Sequence, residues 1–287
     1  MKITVEMLKK AVEAEDDFGH EMRVRRVLLS VPGAKVEHGG SYTDPVEAKP
    51  RQFDLRFEYT DEGGPRRLQM AVECKNLSPD APLIISGTNR TPEEAFHCYI
   101  CSLLEAGAPN QPARPPSVFW AKKENQFYQG VSFVGKSLLR LKTNEKKTAL
   151  IRASGPDEIY KGWSQALASA DELCDRALQA RKPGHRGVNS LTLPVVVVPD
   201  GTLWSMDYDW NAVNTSGPVA ADEVQYFVNH KVALKISAFR ATIRLSHIHF
   251  FTLKGLKLFL GSIMQPGGSW KEWFPENAWQ VEMNRIV

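Results

Sequence analysis

Two segments constrain the fold of this chain more than any others: RQFDLRFEY from Arg51 and RRLQMAVECKN from Arg66, separated by the turn-forming Asp61, Glu62, Gly63 and Gly64. Each alternates apolar and polar residues, the period of a strand with one face turned inward. A short polar turn between two such strands makes them an antiparallel neighbouring pair. An earlier segment, KVEHGGSY from Lys35, reads as a third strand ahead of them.

Helical periods surround this group. Leu8 and Val12 share one stripe, and after a break expected near Gly19 a second helix runs from about His20 to Leu29 with Val24, Val27 and Leu28 on one side. Pro32 and Gly33 stop it. Thr91, Pro92, Glu93 and Glu94 supply an N-cap, a first-turn proline and first-turn acids, which predicts a helix to about Glu105. Pro156, Asp157 and Glu158 open a long helix in which Ile159, Trp163, Ala166, Ala170, Leu173, Cys174 and Ala177 share a face.

Further on, Leu193 to Val198 is a continuous apolar run read as a buried strand, with a short strand around Trp204. The last part alternates again in QYFV and ATIRLSHIHFF before Thr252 caps an amphipathic helix to about Met264. Helices before, between and after strands predict an α/β sandwich around a mixed sheet. A chain of 287 residues with 43% hydrophobic composition can bury one large core. The expected division is a core from 1 to 205 and a C-terminal extension, 206–287, that packs strands and a helix on it.

Composition excludes several classes. No apolar run approaches the roughly 20 residues that span a bilayer, and the opening MKITVEMLKKAVEAEDD mixes charges into any apolar stretch, unlike a secretory signal. A cytoplasmic location is the expectation. Four cysteines, Cys74, Cys98, Cys101 and Cys174, are too few for a disulfide scaffold. The CxxC of Cys98 and Cys101 lies inside the apolar run AFHCYICSLL with no second pair to complete a zinc site, so reduced core thiols are expected.

The net charge of +3 suits a polyanionic partner without requiring one. Lys136, Arg140, Lys142, Lys146, Lys147 and Arg152 face a single acid, Glu145, in the same stretch, and Arg181, Lys182 and Arg186 cluster later. These runs are candidates for a phosphate-backbone track or for a solvated face.

The chemistry-bearing residues sit at the hairpin. Side chains two apart on a strand share a face, so Glu73 and Lys75 project together, and Asp54 on the adjacent strand can converge with them. An isolated ExK on a strand is often a surface ion pair. Here Leu68, Met70, Val72 and Cys74 alternate with Gln69, Ala71, Glu73 and Lys75, and Phe53 and Leu55 flank Asp54, a setting too apolar for an exposed charged face. The carboxylates of Asp54 and Glu73, with the carbonyl of Cys74 between Glu73 and Lys75, are the hard oxygen ligands that Mg²⁺ takes while keeping waters. Lys75 adds a charge beside the metal, where it can hold and help deprotonate an attacking water.

At these residues the chain resembles the PD-(D/E)xK, or restriction-endonuclease-like, nuclease superfamily. The likeness covers RQFDLRF, the turn, LQMAVECKN and the helix before them, although Phe53 stands where the proline of the motif's name would be. The resemblance implies a Mg²⁺-dependent deoxyribonuclease, with Mn²⁺ as substitute, on a restriction-endonuclease-like mixed β-sheet flanked by helices. Asp54 and Glu73 would bind the metal, Lys75 would serve the water, and Glu21 on the preceding helix would complete the metal shell. Gln165 is the candidate for a polar residue from a later helix. DNA is the implied partner, with the protein acting alone, as a homodimer, or as the effector subunit of a larger system such as bacterial defence.

Two rival readings come from other classes. Gly130 to Ser137, GVSFVGKS, matches the phosphate-loop pattern of nucleotide hydrolases, but ENQFYQ precedes it rather than an apolar strand, and its interior is bulky. The second rival is a nuclease fold kept only for binding DNA, against which the intact Asp54, Glu73 and Lys75 speak. His247 and His249 alternate on one strand as metal-binding pairs do, yet no third ligand is evident nearby, and packing histidines are expected.

Overall fold

A computed structural model describes residues 3–14, 16–45, 47–61, 66–102, 117–121, 132–144, 149–153, 156–179, 188–209, 211, 213–236, 239–264 and 269–274. Two helices open the chain, α1 (Val5–Ala14) and α2 (Asp17–Leu28). The break between them falls at Asp16 rather than Gly19, because Asp16 caps α2 by accepting the Gly19 N–H at 2.9 Å. A Cβ on residue 19 would lie about 1.9 Å from that carboxylate, so a larger residue there would push the Asp16 side chain out of its capping position. His20, Val24 and Leu28 form the buried stripe of α2.

The strands begin with β1 (Lys35–His38), a small separate hairpin of β2 (Ser41–Thr43) and β3 (Pro50–Gln52), then β4 (Leu55–Thr60) and β5 (Arg66–Cys74). β4 and β5 pair antiparallel with Leu55 opposite Val72, as their alternation predicts, and β1 pairs antiparallel with β4 on the other side. There follow β6 (Leu83–Asn89), a single 3₁₀ turn at Pro92–Glu94, β7 (His97–Ser102), β8 (Ser117–Ala121), β9 (Phe133–Thr143) and β10 (Leu150–Arg152). Helix α3 (Pro156–Gln179) leads into β11 (Val188–Val198). The chain closes with β12 (Leu203–Tyr208), β13 (Asn214–Ala220), β14 (Glu223–Ile236), β15 (Phe239–Thr252), α4 (Leu253–Met264) and a 3₁₀ turn at Ser269–Trp273.

One large mixed sheet carries the fold, in the order β1-β4-β5-β11-β15-β14-β9-β6-β12-β13. β11 runs parallel to both β5 and β15, and every residue of it after Val188 is buried. The sheet forks along its other edge, where β7 pairs with residues 188–191 and β15 with residues 195–198. Pro194, which has no N–H to give a neighbour, sits at that fork. The boundary expected at 205/206 falls inside β12, and strands from both sides of it share the sheet.

Two cores lie on opposite faces. Leu68, Met70 and Val72 of β5 pack with Val24, Leu28, Leu256, Phe259 and Leu260 from α2 and α4. Ala71 of β5 packs with Ala166, Ala170, Leu173 and Cys174 of α3. Burying about 25 cal/mol per Å² of apolar surface on both faces is what holds so wide a sheet to so few helices.

The helix expected from Thr91 to Glu105 is corrected. Its start signal is real, since the Thr91 N–H donates to Glu94 Oε2 at 2.9 Å, but the helix stops after three residues. Tyr99 then fills one core and Ile100 the other, which consecutive residues manage on a strand buried on both faces and not on a helix. At the far end the expectation holds, with Thr252 Oγ1 accepting the Gly255 N–H at 3.0 Å at the start of α4. Among the described residues no helix is long and apolar enough to cross a membrane. Cys74, Cys98 and Cys174 carry free thiols, and the side chain of Cys101 lies outside the described residues.

Candidate active site

The hairpin register places Asp54, just before β4, opposite Glu73 near the end of β5. Asp54 Oδ2 accepts the Cys74 N–H at 2.7 Å, which clamps the carboxylate to the neighbouring strand. Glu73 is only 4% exposed, and its Oε1 accepts from Lys75 Nζ at 2.7 Å. Helix α2 enters from the side. His20 lies against the Val197 carbonyl at 3.1 Å, and this contact sets α2 against the end of β11. Glu21 faces His38 Nε2 of β1 at 3.2 Å.

These groups line a single open cleft of about 310 Å³, made by Asp17, Glu21, Asp54, Glu73, Cys74, Lys75, Asn76, Leu77 and Arg140. Of the residues singled out in the sequence, Asp54, Glu73, Cys74, Lys75 and Glu21 meet there and Gln165 does not line it. Helix α3 approaches instead through its backbone, the Gln165 carbonyl accepting from Tyr42 Oη at 3.4 Å. Four lining residues, Asp17, Asn76, Leu77 and Arg140, were not placed at the site by the sequence. Asp17 had a legible signal, since it precedes Glu21 by one helical turn and shares its face. Asn76 directly follows Lys75. Arg140 comes from β9, beyond any local period.

The electrostatics fit a cation site. Burial raises the Glu73 carboxyl to about 7, with the charges of Asp54 and Glu21 adding to the rise and Lys75 opposing it. Asp54 is also raised, first by burial and then by Glu21, against the Cys74 N–H and Lys75. Burial by itself would lower the Lys75 amine, but the charge and hydrogen bond of Glu73, with Asp54, raise it overall. Lys75 is therefore held as a cation. The Cys74 thiol is pushed far up by burial and the surrounding acids, so it stays neutral and packs rather than ligating.

No group of three or more His, Cys, Asp or Glu side chains among the described residues is gathered closely enough to hold a metal by itself. The donor chemistry still suits Mg²⁺, which keeps several waters and takes one or two carboxylates. Asp54 and Glu73 supply those, in a cleft where like charges raise each other's proton affinity and a divalent ion would relieve both.

The other motifs resolve differently. β9 runs through Gly135, Lys136 and Ser137, and no helix follows, so the described part of GVSFVGKS is a strand rather than a turn that wraps a phosphate. Gly130 lies outside the described residues. Lys136 forms an ion pair with Glu94 and sits over the Phe227 ring. Among the described residues of the basic stretch, Arg140 is the one that reaches the cleft. Lys142 is exposed, and Lys146, Lys147, Arg181, Lys182 and Arg186 lie outside the described residues. His247 and His249 are buried, with His247 Nε2 at 2.6 Å from Arg90 Nη1 and the His249 ring stacked on Phe251. No protein-family model, curated protein or solved structure matches the chain.

Proposed function

We propose that this protein is a Mg²⁺-dependent deoxyribonuclease of the PD-(D/E)xK type, hydrolysing phosphodiester bonds in the cleft at the end of β5. The observation that carries the reading is the meeting of Asp54, Glu73 and Lys75 in one cleft, two carboxylates from adjacent antiparallel strands beside an amine, with Glu21 brought in by α2. On this reading β1, β4, β5 and β11, with α2 and α3 on the two faces, are the restriction-endonuclease-like core.

Asp54 and Glu73 would hold the metal, with Cys74 offering its carbonyl and Glu21 closing the acidic side. Bound there, Mg²⁺ supplies positive charge to the phosphate oxygens and acidifies a water. The protein's own groups do the rest. Lys75 holds the attacking water by hydrogen bond and offsets charge building on the phosphate. With Glu73 drawn to a cation its hold on the Lys75 proton would weaken, and Lys75, after releasing that proton to solvent, would be positioned to take the proton of the water.

The enzyme would act alone, as a homodimer, or as the effector subunit of a defence system. A fold kept only for DNA binding has no need of Lys75 beside a buried and a half-buried carboxylate. The reading is tested by incubating linear and plasmid DNA with the protein. Cutting is expected with Mg²⁺ or Mn²⁺ and none with EDTA, while Ca²⁺ should support binding with little cutting because of its looser coordination. Undiminished cutting in EDTA would overturn the mechanism.

A further inference from the structure

Among the described residues, the cleft that would take a polyanion is lined by four acids, Asp17, Glu21, Asp54 and Glu73, and by two cations, Lys75 and Arg140. Lys75 is already committed to Glu73 at 2.7 Å. Arg140 is committed to no acid among the described residues, and its Nε is buried without a hydrogen-bond partner. Leaving a buried guanidinium N–H unsatisfied is costly, and such a group is a standing demand for an acceptor.

The backbone fixes where this group stands. Arg140 is paired with Leu83 of β6, its carbonyl accepts the Ala153 N–H at 2.9 Å, and the next residue's N–H donates to the Pro82 carbonyl at 3.0 Å. The strand is thus held on both edges, and the side chain is delivered to the cleft from a part of the sheet distant in sequence from the hairpin. The neighbouring cation on the strand behaves differently, since Lys136 is spent on Glu94.

From this arrangement, and resting on the nuclease reading, we infer that Arg140 is the phosphate-binding residue of the cleft, gripping a backbone phosphate of the DNA opposite the Asp54 and Glu73 carboxylates. A guanidinium suits this task because its planar fork, Nε included, meets two phosphate oxygens at once, whereas an amine offers a point charge. Arg140 touches substrate and not metal, so its loss separates DNA binding from metal binding.

The test compares wild type, Arg140→Ala, Arg140→Lys and the exposed control Lys142→Ala. A short labelled DNA duplex is bound in Ca²⁺ and cut in Mg²⁺, and Mn²⁺ is titrated without DNA. Arg140→Ala should weaken DNA binding by about tenfold or more, the loss expected of a charged hydrogen-bonded contact. It should flatten the slope of log affinity against log salt by about 0.9, and leave Mn²⁺ affinity unchanged. Arg140→Lys should keep the salt slope and recover only part of the affinity.

If wild type cuts DNA and Arg140→Ala binds and cuts as well, this inference falls while the nuclease reading stands. Equal losses in Arg140→Ala and Lys142→Ala would also overturn it, since diffuse surface charge would explain both. If Arg140→Ala does not fold, Arg140→Lys decides: partial affinity supports the fork, and full wild-type affinity overturns it. A wild type that cuts no DNA with any of these metals removes the reading and this inference together.

Discussion

The amine of Lys75 lies 2.7 Å from the carboxylate of Glu73, two residues back on the same strand and almost wholly buried. Each group biases the other's charge state. Glu73 keeps Lys75 protonated, and burial together with Asp54 and Glu21 raises the Glu73 carboxyl to about 7 against Lys75, so it is only partly ionised near neutral pH.

A proton and a metal therefore compete for Glu73. Its carboxyl titrates near 7, above the ordinary value, so a cation must displace a proton below that pH and meets a ready carboxylate above it. Calorimetric titration with Mn²⁺ should give weaker binding and more proton release at about pH 6 than at about pH 8. Affinity independent of pH across that window would remove Glu73 from the metal's ligands.

Metal binding should also appear as stability. A ligand that binds only the folded state, at a hundred times its dissociation constant, adds about 2.7 kcal/mol. Thermal unfolding with saturating Mn²⁺ should shift upward for wild type and Lys75→Ala. It should shift little for Asp54→Ala or Glu73→Ala, which lose a ligand. A full shift in all four proteins would place the metal elsewhere.

Arg56 ties the hairpin to α3. Its guanidinium, 2% exposed, reaches Glu172 at 2.6 Å and Ser169 at 3.2 Å and lies over the Phe53 ring at 3.9 Å. Arg56 is buried although Glu172 is part-exposed, so Glu172→Ala, which leaves that buried charge without its acid, should lower unfolding free energy by about 2 kcal/mol in urea. A change under about 1 kcal/mol would show that Arg56 rehydrates freely.

Buried histidines make the fold acid-sensitive. His20, His97 and His247 are all held below the ordinary histidine value, chiefly by burial. The unfolded chain takes up protons at these positions that the folded one refuses. Their contribution to stability is complete above about pH 6.5 and is lost as pH falls below it. Glu73, shifted upward, works in the opposite sense over the same range. The melting temperature should drop between about pH 6.5 and 5, and His97→Gln should flatten that drop; an unaltered pH profile in the variant would contradict the assignment.

What the sequence made legible follows from how local each signal is. The β4–β5 pair, and with it the meeting of Asp54, Glu73 and Lys75, follows from a period of two and a short turn. Glu21 follows from the helical period that buries Val24 and Leu28. The strand at His97–Ser102 was hidden behind a genuine helix-start signal at Thr91, because only its pairing with β11 and β8 makes it a strand. Gln165 flanks the apolar stripe of α3, and periodicity could not show that Tyr42 would meet its backbone instead. Arg140 was legible as a charge but not as part of the cleft, since its arrival depends on the non-local order β14-β9-β6.

The central claim is that Lys75 serves the reaction and not the fold, and the rate of DNA cutting by Lys75→Ala at saturating Mg²⁺ tests it most directly. A positioned proton-transfer group contributes about 10² to 10⁴ in rate. The account predicts a loss of that size in a folded protein whose Mn²⁺ affinity and DNA affinity in Ca²⁺ remain near wild type. Cutting by Lys75→Ala at close to the wild-type rate would contradict it.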